Sequence, residues 1–157
     1  MSTEVKTIEA FSVTGFQART TNAAEQNPQT GKIGGLWQQF FGSPLFQPTA
    51  GVVGVYSNYE SDAMGAFHVT AGTPSSSLSS GAAPANTQSV QIQAGQYLVF
   101  RSKGAMPQAV ITGWMQVWDF FSTQRLDIER SYQTDFEQYL GLDEAAIHVG
   151  VKGRPEF

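Results

Sequence analysis

Glu137 stands in the stretch Asp135-Phe136-Glu137-Gln138-Tyr139, a carboxylate set between aromatic residues. At the two-residue period of a strand, Asp135, Glu137 and Tyr139 share one face, and Phe136, Gln138 and Leu140 share the other. An ionised carboxylate in apolar surroundings is costly unless a cation or hydrogen-bond donors meet it. Aromatic faces add attraction for an organic cation, about 0.5–2 kcal/mol for each good contact. Such a site selects for charge sign and tolerates shape. The available walls are Trp37, Trp114, Trp118, Phe41, Phe121, Tyr56, Tyr59, Tyr132 and Tyr139. Tyrosines, whose hydroxyls need partners, suit a cleft better than phenylalanines. The expected binding set is Glu137 with Trp118, Trp114, Trp37, Phe41, Tyr59, Tyr56 and Tyr139.

Other chemistries find little support. The sequence has no Gly-x-Ser-x-Gly elbow, no phosphate-binding Gly-Lys-Ser/Thr loop and no Gly-x-Gly-x-x-Gly after a strand. Glu60 with Asp62, and Asp143 with Glu144, fall in turns where solvated charges are ordinary. A general base at Glu137 would need a nucleophile or an orienting group, and none accompanies it in the motif. His68 and His148 are isolated and lack zinc spacing, so no metal is expected and no catalytic residue is assigned. Neither sits beside Glu137 in the pattern, which leaves haem without an axial ligand there. No cofactor is expected.

Two helical segments and several strands must position Glu137 and its walls. From Pro107 to Phe121 the helical period places Gln108, Thr112, Gln116 and Asp119 on one polar stripe. Val110, Trp114, Val117 and Phe121 lie opposite, with Trp118 and Phe120 widening the apolar face. A second helix is expected over Pro28 to Phe41, anchored by Trp37, Phe40 and Phe41 and ended by Gly42-Ser43-Pro44. Strands are expected at Val5–Thr20, Val52–Tyr59, Ala66–Ala71, Val90–Arg101, Ser131–Tyr139 and Ala146–Val151.

An ungapped offset of 80 residues lays the chain on itself, helix on helix and strand on strand. It pairs Gly15 with Gly95, Phe40-Phe41 with Phe120-Phe121 and Tyr59 with Tyr139. It also pairs Ala66, His68 and Val69 with Ala146, His148 and Val149. This predicts an α+β domain over residues 1–157, with repeat 1 at about 5–72, a connector at 73–89 and repeat 2 at about 90–152. Each repeat is a strand–helix–strand–strand unit, too small to bury its own sheet face. The two should form one antiparallel arrangement, related by an approximate two-fold axis, with both helices flanking a cleft. The same offset pairs Gly34 with Trp114 and Ser57 with Glu137, so one half supplies small residues where the other supplies bulk and charge.

The composition narrows the partners. A net charge of −4 and scattered Lys and Arg give no basic footprint for nucleic acid or a membrane surface. The absence of cysteine excludes disulfides and thiol nucleophiles. With no signal-like start and no apolar run near the ~20 residues of a membrane span, a cytoplasmic protein is expected.

The quoted stretches, with Ile92–Gly104, Val117–Phe121, Ala146–Lys152, Gly54–Asp62 and Ala66–Gly72, resemble the GyrI-like small-molecule-binding domain over nearly the whole chain. That domain is the effector-binding half of AraC- and MerR-type multidrug regulators and also occurs alone. The resemblance extends to stand-alone, integron-cassette-encoded drug-binding proteins of bacteria. It implies a cleft at the repeat junction for lipophilic, often cationic compounds, with Glu137 as counter-charge. No helix-turn-helix segment is read in the chain, so direct DNA binding does not carry over; this leaves a stand-alone binder, or one that docks onto a separate transcription-regulator or gyrase partner. Relatives named for gyrase inhibition, haem-binding proteins of the same fold, and others proposed as hydrolases keep three rivals open: a gyrase-binding inhibitor, a haem binder, and a small hydrolase with Glu137 as base. The connector gives the first prediction. Limited proteolysis should cut within Thr73–Ser89 before any other internal site, and a first cut inside Val110–Phe121 would break the proposed repeat boundaries.

Overall fold

The computed structural model describes residues 3–47, 51–61, 64–78, 85–123 and 128–152. In chain order these form β1 (Thr3–Ile8), β2 (Phe11–Thr20), α1 (Asn22–Glu25), α2 (Ile33–Phe41), β3 (Val52–Ser57) and β4 (Phe67–Pro74). A 3-10 turn at Ser75–Ser77 precedes β5 (Gln88–Ile92), β6 (Gly95–Lys103), α3 (Gln108–Thr123), β7 (Arg130–Gly141) and β8 (Glu144–Val151). All strand pairs are antiparallel, in the order β1-β6-β8-β7-β3-β4-β2-β5. That order reads the same from either edge when β1–β4 are exchanged for β5–β8. The pseudo-two-fold axis therefore runs between β3 and β7, where Val55 faces Phe136 and Tyr56 faces Asp135.

Two corrections follow to the strands expected first in each half. Val5–Thr20 is not one strand but two, β1 and β2, and Val90–Arg101 is two, β5 and β6; the members of each pair lie toward opposite edges of the sheet and are not hydrogen-bonded to each other. The first strand of each half crosses to the other: β1 pairs with β6 and β5 with β2. The two halves thus exchange edge strands. The helix expected over Pro28–Phe41 is also shorter, confined to α2. Asn27 takes the backbone N–H of Gln29 on its side chain, a local turn that stops helical continuity. Glu25 then accepts from the N–H groups of Lys32 (2.8 Å) and Ile33 (3.2 Å), and so caps the start of α2. At the connector, Thr73 is a buried residue of β4 and Ser89 belongs to β5. Residues 79–84 lie outside the described set.

Both long helices cover one face of the sheet. Under α2, Leu36 and Phe40 pack with Phe16, Phe67, Val69 and Ala71. Under α3, Val110 and Val117 pack with Leu98, Phe100, Ala145, Ile147 and Val149. Strand alternation sends Val53, Val55 and Phe136 to the opposite face, where they join Val13, Ile92 and Tyr97 in a core made of strand residues.

Gly113 sets how closely α3 approaches. A Cβ there would lie 2.7 Å from Ile147 Cδ1 and 3.2 Å from Ser102 Cβ. Ile147 in turn lies beside Glu137 in the β7–β8 register. Gly113→Val should cost about 1–3 kcal/mol through overpacking, read as a lower urea midpoint. An unchanged midpoint would mean that α3 does not rest on Ile147 as described.

Candidate functional site

Glu137 lies on the helix-covered face, two residues from the axis, with Gly54 on one side and Ile147 on the other. It is 2% exposed. Tyr56 OH donates to its Oε2 at 2.7 Å and Trp114 Nε1–H donates to the same oxygen at 2.5 Å. Tyr139 OH donates to Oε1 at 2.7 Å. Trp37 closes the remaining side: a Cβ on Gly54 would lie 2.9 Å from both Glu137 Oε1 and Trp37 Cζ2. Only glycine leaves room for the indole edge and the carboxylate together.

The donors come from β3, α3 and β7, and Trp37 from α2, so both halves build the site. Ring contacts hold them in place. Tyr56 meets Trp114 at 5.1 Å and Trp37 meets Tyr139 at 5.4 Å, each edge to face. Trp118 lies 6.5 Å from Trp114, and Phe41 lies 5.8 Å from Trp37. These two form an exposed rim, 41% and 51% accessible. The sequence placed Trp118 on the apolar face of its helix; in the fold, Val110, Gly113 and Val117 take that face, and Trp118 is left outside with Ile111 and Met115. Phe121 packs into the core under α3 and not into the site.

Tyr59 also departs from the expected set. Its hydroxyl donates to Asp135, which is fully buried. Arg130 Nη2 donates to Asp135 Oδ2 at 2.7 Å, and the Gly150 N–H donates to Oδ1 at 2.8 Å. The Arg130 guanidinium lies over the Tyr132 ring at 4.5 Å and 6.0 Å from the Trp114 ring. Sequence reading noted Asp135 on the Glu137 face but missed Arg130. In a regular strand, residues five apart point to opposite faces. Here the register shifts between Arg130 and Asp135, and Tyr132 adopts φ +54°. The irregularity turns Arg130 onto the face of Asp135. Two acids on one buried strand face were the available signal, since at least one then needs a cation.

The two carboxylates differ in how their charge is met. Asp135 has Arg130; burial disfavours the charged guanidinium, but Asp135, with Tyr59 and Tyr132, more than offsets this and raises its pKa. Among the described residues Glu137 forms no ion pair and has neutral partners only. Burial pushes its pKa up, and the hydrogen bonds from Tyr56, Trp114 and Tyr139 oppose that rise without cancelling it. Burial and the nearby carboxylate push Tyr56 and Tyr139 well above the usual phenol range, so both remain protonated donors.

Of the two histidines, His148 stacks on Phe136 at 4.2 Å on the far face of the sheet, and burial lowers its pKa to about 4. His68, on β4, is half-buried beside Asn58. Neither approaches Glu137 in the ways Tyr56, Trp114 and Tyr139 do.

A two-half antiparallel sheet, covered by one helix from each half, with a buried acid between them, defines an effector-binding domain. Residues 4–151 match the Cass2 family of integron-associated effector binding proteins, and the chain belongs to that family. It is similar in structure to the integron cassette protein VCH_CASS2 from the mobile metagenome of Vibrio cholerae. The two share 39% identity over 96% of this chain and 95% of the other, with a TM-score of 0.86. SAV2435, whose structure contains bound tetraphenylphosphonium, shares the fold at 18% identity and TM-score 0.72, over 98% and 95% of the chains. The Bacillus subtilis protein YobU, described as a candidate transcriptional regulator, is 25% identical over 80% of this chain and 78% of its own length. Among the described residues no helix is long and apolar enough to cross a membrane.

The raised pKa of Glu137 fixes a pH dependence. The folded carboxyl holds its proton more readily than the unfolded one, so its contribution to stability is fully present below the ordinary carboxylate range. It is lost as pH rises through the raised folded value. Glu137→Gln in the ligand-free protein should therefore match or exceed wild type in urea stability at neutral pH, with the difference shifting toward wild type on acidification. A variant clearly less stable than wild type at neutral pH would mean that the three donors outweigh the burial of charge.

Proposed function

We propose that the chain binds lipophilic cations, with Glu137 as counter-charge, and does not turn them over. One observation carries this reading: Glu137 is buried and held by neutral donors only, while the adjacent buried acid has an arginine of its own. The site is thus one positive charge short of balance when Glu137 is ionised. Membership of an effector-binding family supports the reading, as does tetraphenylphosphonium in SAV2435, which has the same fold. Trp37, Tyr139 and the exposed rings of Trp118 and Phe41 supply the faces for the body of the ligand, and the roof over Glu137 opens to admit it.

The hydrogen bonding narrows the cation. A carboxylate has about four lone-pair positions, and three donors already occupy Glu137. A primary ammonium would bring three N–H groups into a site with one position left for them, and each unmet donor costs about 1–3 kcal/mol. Quaternary or delocalised cations carry no such requirement. Its burial, at 2% exposure, disfavours hydrolysis, since a general base must be reached by the attacking water.

Binding of tetraphenylphosphonium followed by tryptophan fluorescence tests this. Wild type should bind it saturably and without product. Glu137→Gln should lose roughly 30-fold or more for the cation, the low end for removing one side of a buried charge pair. The variant should hold or gain affinity for neutral triphenylphosphine oxide. Equal losses for both probes, or no loss for the cation, would remove Glu137 as the counter-charge. Capture of gyrase without any response to the cation would favour the inhibitor reading.

A further inference from the structure

The Asp135 cluster has the same parts as the Glu137 site, already filled. A fully buried carboxylate, a tyrosine hydroxyl donating to it and two aromatic rings surround a cation, and that cation is the chain's own Arg130. The two sites share a wall. Trp114 gives its N–H edge to Glu137, and its ring lies 6.0 Å from the Arg130 guanidinium. Asp135 and Glu137 are two steps apart on one strand face, roughly 7 Å. Arg130 and Asp135 are 5% and 0% exposed as side chains, so little water lies between their charges and the space beside Glu137.

We propose that Arg130 is a specificity-determining residue that limits the site to ligands with one positive charge. This rests on Glu137 receiving the ligand's cation. With Arg130 in place, the pair it forms with Asp135 leaves only Glu137 to attract a cation. A second cationic centre on the ligand would meet the guanidinium before it met Asp135. Without Arg130, two uncompensated carboxylates would stand at a spacing that suits a rigid dication. Buried ion pairs add little net stability compared with apolar residues of similar volume, so a role in discrimination gives this one a reason to be retained. A unit charge about 8 Å away, through an effective dielectric of about 20, changes affinity on the order of 30-fold.

The test uses two probes of nearly equal size and shape that differ by one charge: N-methyl-4-phenylpyridinium, and N,N′-dimethyl-4,4′-bipyridinium. The quantity read is the ratio of their affinities, which cancels any general loosening of the site. Wild type should prefer the monocation. Arg130→Met should shift the ratio toward the dication by about ten-fold or more, and Arg130→Lys should keep the wild-type preference. Asp135→Asn leaves Arg130 unopposed and should weaken both probes, the dication more. The double variant Arg130→Met/Asp135→Asn, again balanced, should return the ratio toward wild type. If Arg130→Met does not fold, Asp135→Asn must still shift the ratio toward the monocation and the double variant must restore it. A ratio within three-fold of wild type in every folded variant would make the pair purely structural and overturn the assignment. Wild type that binds neither these probes nor tetraphenylphosphonium would overturn the reading of Glu137 itself, and this inference with it.

Discussion

A carboxyl group held away from water by neutral groups is the constraint on which this structure turns. Glu137 could be buried cheaply by pairing it with a lysine or arginine, as Asp135 is paired. Instead its two oxygens are met by two phenols and an indole. Such donors satisfy the lone pairs and leave the charge unneutralised. They must also be rigid, because a donor that swings away exposes a bare buried charge. Edge-to-face contacts among Tyr56, Trp114, Trp37 and Tyr139 provide that rigidity. The glycines at 54 and 113 let the indoles and the α3 backbone come close enough to close the site.

Asymmetry between the halves is what makes one site and not two. The axis passes between β3 and β7, so every position near it has a counterpart. At the counterpart of Glu137 stands Ser57, and at that of Trp114 stands Gly34, around which a Cβ would find open space. A symmetric scaffold supplies the position, and substitution on one side supplies the chemistry. The family's name for these proteins, effector binding, accords with a site whose walls come from both halves, since anything that enters it touches both.

Much of this was legible in the sequence, for identifiable reasons. The two-residue period put Glu137 and Tyr139 on one face, and the helical period put Trp114 toward the sheet. Tyr56 and Trp37 followed as aromatic residues of the other half. What the sequence hid was whatever depended on a break in period. Arg130 reaches Asp135 only through the irregular stretch around Tyr132, and Tyr59 is drawn to that cluster and away from Glu137. Trp118 misled for a different reason: a helix with apolar residues nearly all round does not declare which of them the sheet will cover. The two strands that open each half read as one, because Glu9-Ala10 holds no glycine or proline to mark the break, and Gly95 after Gln93-Ala94 reads equally as a strand residue.

The exchanged edges bear on how the chain is made. β1 leaves the ribosome before the other strands of this sheet, and its partner β6 is synthesised roughly ninety residues later. At about 5–20 residues per second, the first strand waits some seconds with its hydrogen-bonding edge unmatched. Its alternation of Glu4 and Lys6 with Thr3, Val5 and Thr7 discourages pairing with a stranger in that interval. The first half cannot close around its own edge either, since β5 must arrive from beyond the connector to cover β2. Assembly is therefore a single late event, dominated by long-range pairing, and no half-length nascent chain holds a finished sheet.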